Sequence, residues 1–294
     1  SSDLAVSLYT SRIVLNSLGI DDYGIYNVVG GMVAMFSLLS NSLSTAISRY
    51  LTFELGKENI DKLRTIFSSS VVIQTGLALF ILLLVEIFGI CFLNLYINIP
   101  AGRLEAAHWA LQCSAITFAV GLISIPYNAT IIAHEKMVFF AYISILEQVL
   151  KLIVAYLLYI SPFDKLKIYA FLLVIVSILI RAIYGMYCKR QFEECNGKII
   201  IDKSFIRQMV DFAGWNFLGA GSGVLMTQGV NILMNLFFTV AVNAARGVAT
   251  QIEGVVMSFV NNFTTAINPQ ITKSYASGDR EYLFQLIHRG SKYS

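Results

Sequence analysis

Apolar residues occupy this chain in long blocks, each broken by a short polar turn. The blocks are Leu4–Leu18 (too short to be complete), Tyr26–Tyr50, Ile66–Ile97, Ala106–Ala133, Val138–Ile160, Ile168–Cys188, Met209–Thr239 and Gly247–Ile271. About 20 residues at 1.5 Å rise carry a helix across a bilayer. Lipid also requires each backbone group to be paired inside the segment, which favours helices. Eight such blocks in succession predict an all-α polytopic membrane protein. Arg280–Ser294 is polar and amphipathic and reads as the approach to a ninth span. With Ser1 in first position and a short first block, the chain reads as a fragment; no signal peptide is visible.

Polar residues inside the blocks fall on single helical faces. The second block places Ser37, Ser40, Asn41, Ser44 and Ser48 on one side, with Phe36, Leu39, Leu43 and Ile47 on the other. The eighth repeats the stripe with Gln251, Ser258, Asn261, Asn262, Thr265 and Asn268. The first aligns Tyr9, Arg12 and Asn16, and the seventh Gln228, Asn231 and Asn235.

These four stripes are one pattern written twice. Residues 41–47 read NSLSTAI, and 220 positions later residues 261–267 read NNFTTAI. At an offset of 219, Arg12–Asn16 lies over Asn231–Asn235. An even number of spans separates the copies, so both keep the same orientation, and an axis along the membrane normal should relate them. The chain is therefore expected to hold a first six-helix lobe (1–188), a polar linker (189–208) and the start of a pseudo-symmetric second lobe (209–294) containing helices seven and eight.

Composition agrees: 56% of residues are hydrophobic and 13% charged, against about 25% charged in soluble domains. The net charge of +3 matters less than its placement. Fourteen of the 21 basic residues fall on one set of turns and span ends; Arg103, Lys165, Lys167 and Arg246 fall on the other, and Arg12, Lys151 and Arg181 lie inside spans. The positive-inside rule puts the N-terminus and the 189–208 linker in the cytoplasm. The four cysteines and three histidines are scattered without metal-ligand spacing, so neither metal nor cofactor is expected. The glycosylation patterns at Asn128 and Asn262 fall in or near spans and read as chance. Gly219–Gly223 (GAGSG) lacks the Lys-Ser/Thr ending and the preceding strand of a phosphate loop; it reads as close helix packing or a bend. Pro126 and Pro269 mark kinks. No nucleophile–base constellation and no Walker motif is visible, which argues against an enzyme.

Lipid cannot satisfy the amides and hydroxyls of the stripes, so these should face one another or water. They read either as glue between helices or as the walls of a water-filled cleft. Arg12 lies about two turns from the outer end of helix one. A basic group at membrane depth costs on the order of 2.5–3.5 kcal/mol on insertion scales. It either snorkels to the surface or offers its planar fork to a phosphate. Glu147 and Lys151 form an i, i+4 pair in the favourable order; the pair either neutralises itself or couples to protons. Glu86 and Glu253 are lone intramembrane acids and candidates for the same coupling role, and Arg181 is expected to snorkel to the cytoplasm.

The stretches 11–27 (SRIVLNSLGIDDYGIYN), Ser44 to Lys57 and 126–136 (PYNATIIAHEK) resemble bacterial polysaccharide or O-antigen flippases. These belong to the multidrug/oligosaccharidyl-lipid/polysaccharide exporter (MOP) superfamily. The resemblance runs through essentially the whole chain and is strongest in the first part. It implies about 12 to 14 helices in two six-helix lobes around a cavity, so the chain would stop short of the last helices. It also implies alternating access in the bacterial inner membrane, a polyprenyl-pyrophosphate-linked oligosaccharide as substrate, membrane lipid as surroundings, and polysaccharide polymerase or assembly proteins as partners. Nucleic acid is not among the expected partners. On that reading Arg12 contacts the pyrophosphate, while Tyr9, Asn16, Asn41, Gln228, Asn231, Asn235, Asn261 and Asn262 bond sugar hydroxyls. A proton or sodium gradient would act through Glu147 with Lys151, Glu86 or Glu253. A cation-coupled multidrug exporter of the same superfamily and a non-transporting membrane scaffold are the rival expectations.

Overall fold

The computed structural model describes residues 2–34, 36–90, 93, 101–196, 200, 202–212 and 267–293, with isolated positions between 214 and 265. Among the described residues no strand occurs. The helices are α1 (Ser2–Leu18), α2 (Ile20–Ala34), α3 (Ser37–Gly56), α4 (Ile60–Leu84, prolonged by the π turn Val85–Gly89), α5 (Leu104–Ala133), α6 (Met137–Ile160) and α7 (Lys165–Gln191). A 3₁₀ turn, Glu193–Asn196, follows. Helical residues then resume at 203–212 and 267–277 and in the C-terminal helix Arg280–Tyr293.

Ile60–Gly89, α5, α6 and α7 are long and apolar enough to cross a membrane, and they match the third to sixth sequence blocks to within a few residues at most of their ends. The second block departs from expectation. It begins six residues earlier, because Gly19 at φ +82° ends α1 and lets α2 start at Ile20. It is also divided near Phe36 into α2 and α3, beside Gly30, Gly31 and Ser37, the small residues at which helices commonly bend. The linker is shorter than 189–208: α7 continues to Gln191, and Asp202 restarts a helix by accepting from the Ser204 N–H at 2.8 Å. Most of blocks seven and eight lies outside the described residues.

Helix α5 is the hub, packed against α2, α3, α4 and α7. It presents Ala106, Ala107, Ala110, Ala115, Ala119, Ala129 and Ala133 as buried positions. Small residues let helix backbones approach closely where no hydrophobic effect drives helices together. Pro126 lies buried within α5, and the helix continues past it. At one end of the bundle, Arg103 ties three elements together. Its Nε donates to Asp22 at the start of α2 at 2.7 Å, and its Nη1 donates to Asp164, the N-cap of α7, at 2.7 Å. Lys167 pairs with Glu105 at 2.5 Å at this same end. The opposite end carries the turns at 56–59, 134–136 and 277–279, and most of the basic residues.

The duplication is visible in the backbone. After α3, Asn59 N–H donates to Glu54 O at 3.2 Å, Glu58 takes φ +56°, and the Asn59 side chain caps the Lys62 N–H at 3.1 Å. The same features recur 220 positions on. Asp279 N–H donates to Ser274 O at 3.1 Å, Gly278 takes φ +80°, and Asp279 caps the Tyr282 N–H at 3.1 Å.

Candidate functional site

The two copies of the repeat face each other. Ser44, Thr45, Ser48, Arg49 and Thr52 of α3 line a cavity of about 360 Å³ together with Thr265, Asn268, Pro269 and Thr272, with Ile132 of α5 at its side. Thr45 and Thr265, Ser48 and Asn268, Arg49 and Pro269, and Thr52 and Thr272 each stand 220 positions apart. Repeat-related pairs thus line one cavity. Helical geometry places 45, 48, 49 and 52 on one face of α3. Among the described residues the polar lining is hydroxyls and one amide, and Arg49 is the only charge. The Arg49 guanidinium stacks over the Phe212 ring, 5.1 Å from its centroid.

The seam closes toward the basic end. A Cβ built on Gly56 would lie 2.5 Å from the Lys273 carbonyl oxygen and 2.7 Å from the Ala276 Cβ. Ala276 is the repeat mate of Gly56, so the lobes touch at equivalent points. Lys273 Nζ adds a 3.6 Å ion pair to Glu135 in the turn between α5 and α6.

A second cavity, of about 440 Å³, lies within the first lobe between α5, α6 and α7. Ser40, Thr117, Ser124, Asn128, Ser144, Glu147, Ser177 and Tyr184 supply its polar lining. Lys151 donates to Glu147 at 2.6 Å, with both side chains a little over one third exposed. The expected pair is therefore formed, and its carboxylate borders an internal polar space. The nearby Arg181 differs from expectation. Its guanidinium stacks 3.7 Å above the Tyr127 ring and lies against Gly185, so it is held inside the lobe instead of reaching the head groups. Cation–π attraction and the open face of a glycine make that position available.

The other expected residues are distributed as follows. Tyr9, Arg12 and Asn16 lie on the exposed face of α1, whose buried face is Thr10, Ile13, Val14, Ser17 and Leu18. The Tyr9 hydroxyl reaches the Tyr156 hydroxyl of α6 at 3.1 Å. Among the described residues no bond joins Arg12 to the seam. Asn41 lies in α3 and Asn261 at an exposed helical position. Gln228, Asn231, Asn235 and Asn262 lie outside the described residues. Glu86 is exposed in the π turn near the end of its span, and Glu253 is exposed; neither borders the two cavities above. The partner position of Gly219 in the Gly219–Gly223 stretch lies outside the described residues. Sequence reasoning passed over Arg49 by grouping it with span-end charges. The signal was present: Arg49 is one residue from Ser48 on the striped helix, and Pro269 answers it in the second copy.

At the basic end, hydrogen bonding to Cys188 and burial push the Cys195 thiol upward. His134 stacks on Phe192 at 4.1 Å and bonds the buried Glu194 at 2.6 Å. The linker is thus fastened to the first lobe.

Residues 4–157 match the MatE family model. The chain belongs to the MatE family. Among solved structures, it is similar to an outward-facing multidrug resistance MATE family transporter of the MOP superfamily (13% identity, 99% of this chain and 66% of that one, TM-score 0.73). It is also similar to a MOP superfamily transporter from Pyrococcus furiosus whose binding pocket is described as reversed in polarity (14%, 99% and 65%, 0.73). The Vibrio cholerae MATE transporter VcmN is a third (15%, 97% and 64%, 0.75). At these identities the likeness is one of fold, and the chain spans about two thirds of each relative's length. No curated protein sequence matches it. The MatE assignment accounts for the apolar helices: this is a multipass membrane protein whose fold is like that of the solved transporters above.

Proposed function

We propose that this MatE chain forms the first lobe and part of the second lobe of an alternating-access exporter for an anionic, lipid-linked oligosaccharide. The observation that carries the reading is the chemistry of the seam. Among the described residues its lining offers hydroxyls, an amide and Arg49, and no carboxylate, which suits sugar hydroxyls and a diphosphate better than an organic cation. Arg12 would contact the pyrophosphate of a polyprenyl carrier. Tyr9, Asn16, Asn41, Gln228, Asn231, Asn235, Asn261 and Asn262 would bond the glycan, while the lipid tail stays in the bilayer. The basic end would face the cytoplasm of the bacterial inner membrane. Glu147, bordering its own cavity beside Lys151, is the coupling acid best supported by geometry; Glu86 and Glu253 remain weaker candidates. Polysaccharide polymerase or assembly proteins would take the product.

A cation-coupled multidrug exporter is the second reading, favoured by the fold shared with multidrug MATE transporters. Reconstituted full-length protein separates the two. Flipping of a fluorescent polyprenyl-diphosphate glycan, slowed by Arg12→Ala, supports the first reading. Gradient-driven extrusion of a cationic dye without glycolipid flipping supports the second and removes the first.

A further inference from the structure

The basic end holds a pocket that the transport reading does not use. It measures about 490 Å³ and is built from both lobes: Phe53 and Lys57 at the end of α3, and Tyr275, Arg280, Leu283 and Phe284 around the second copy of the turn. Lys57 Nζ lies 4.2 Å from the centroid of the Phe53 ring. Among the described residues no carboxylate pairs with Lys57 or Arg280. Of the two acids flanking Arg280 in sequence, Asp279 caps the Tyr282 N–H, and neither it nor Glu281 is among the described residues lining the pocket. Two cations without a carboxylate partner among the described residues therefore border a space whose other described walls are mainly aromatic and aliphatic, with Ser274 and Gly278 beside them. Tyr275 and Phe284 are 70% and 67% exposed. Aromatic rings beside basic residues at the ends of apolar helices mark the head-group layer of a membrane.

We infer that this pocket binds the phosphate of an anionic glycerophospholipid from the adjoining leaflet, and that the bound lipid fastens the two lobes together at this end. The phosphate neutralises Lys57 and Arg280, and the acyl chains cover Leu283 and Phe284. Charge complementarity favours an anionic lipid over a zwitterionic one, because the pocket supplies two positive charges and no free acid. The aromatic walls favour a lipid over free phosphate, which would leave them in water. Lys57 and Arg280 come from different lobes and flank the point where Gly56 rests against Lys273 and Ala276, so parting the lobes there would part the two cations. A ligand that binds one state better shifts the population toward that state by its differential affinity. Anionic lipid should thus stabilise closure of the seam at the basic end, whatever the transported substrate.

The test uses full-length protein in nanodiscs, with spin labels at Lys189→Cys and Ser277→Cys reporting the distance between lobes at the basic end. Replacing 30% of the phosphatidylcholine with phosphatidylglycerol should enrich the short-distance population. Two cations near an anionic surface, each worth about a fivefold preference, set the shift at roughly 25-fold in the equilibrium. Lys57→Gln with Arg280→Gln should abolish the response. The exchange Lys57→Arg with Arg280→Lys should keep it, as should Lys203→Gln, a cation outside the pocket. An unaltered response in the double glutamine variant overturns the proposal. So does an equal shift caused by inorganic phosphate in pure phosphatidylcholine, or a shift produced by polyprenyl diphosphate where phosphatidylglycerol produces none.

Discussion

Adding one methyl group at Gly56 tests the contact between the lobes. In Gly56→Ala the new carbon would lie 2.5 Å from the Lys273 carbonyl oxygen and 2.7 Å from the Ala276 Cβ. Ordinary contacts of this kind begin near 3.4 Å, so the lobes must separate locally by most of an ångström. Both neighbouring atoms are fixed to backbone, and no flexible side chain can move aside. Overpacking of this kind costs about 1–3 kcal/mol, here charged to the closed arrangement and not to the folding of either lobe. The same range corresponds to about a 5- to 150-fold shift of a two-state equilibrium. Gly56 sits in the last turn of α3 at ordinary helical dihedrals, so alanine leaves that helix intact or slightly strengthens it. The assay is accessibility of single cysteines at Ser48 and Asn268 to a water-soluble maleimide added from the basic side, in a Cys91→Ser background. Cys113, Cys188 and Cys195 are buried and contribute little labelling. Gly56→Ala should raise labelling at both sites while leaving the melting temperature within a few degrees. Unchanged labelling would show that the closure does not depend on this contact and refute the reasoning.

Other expectations follow from single interactions. Arg103→Met should lower stability by about 1–3 kcal/mol, because Asp22 keeps a largely buried charge without its partner; thermal unfolding in detergent measures it, and double replacement with Asp22→Asn should recover part of the loss. Glu58→Gly should stabilise by about 1 kcal/mol, since a non-glycine residue at φ +56° is strained where Gly278 is not; a lowered melting temperature would contradict this. Glu147→Gln should uncouple transport from its driving gradient while exchange down a substrate gradient persists, whereas an unchanged gradient dependence excludes Glu147. Because the Cys195 thiol is raised, the folded state holds its proton where the unfolded chain has lost it. Stability from this group is complete below about pH 9 and falls above it; Cys195→Ser should flatten that alkaline slope.

Much of the architecture was legible because it rests on composition. Runs such as Val138–Ile160 must be helical in lipid, and α6 occupies almost the same residues. The second block was misread for a local reason: hydropathy averages over the Phe36 interruption and over Gly19, whose left-handed dihedral decides where α2 begins. The repeat was legible from seven letters, and the stripes were expected to face one another or water; Ser44 and Ser48 share a cavity with Thr265 and Asn268. Arg49 was not legible as a seam residue, because charge counting assigns a span-end arginine to the head groups while its place is set by the helical face. Arg181 failed likewise: Tyr127, some fifty positions earlier in the chain, supplies a partner that no local window contains. The placement of Arg12 on an exposed face of α1, with Tyr9 and Asn16, agrees with the stripe.

The meeting of Gly56 with Ala276 also bears on how the two copies could diverge. When a duplicated segment touches its own twin, identical residues are brought against each other, and two alanines at this point would collide. One copy had to become smaller than the other. By contrast the letters that survive in both copies, such as Thr45 and Thr265, border open space, where likeness carries no steric penalty. Kinship between the halves is therefore best preserved where they stand apart and erased where they press together. A search for ancestry by letter identity will be least sensitive at the very surface where the lobes press together.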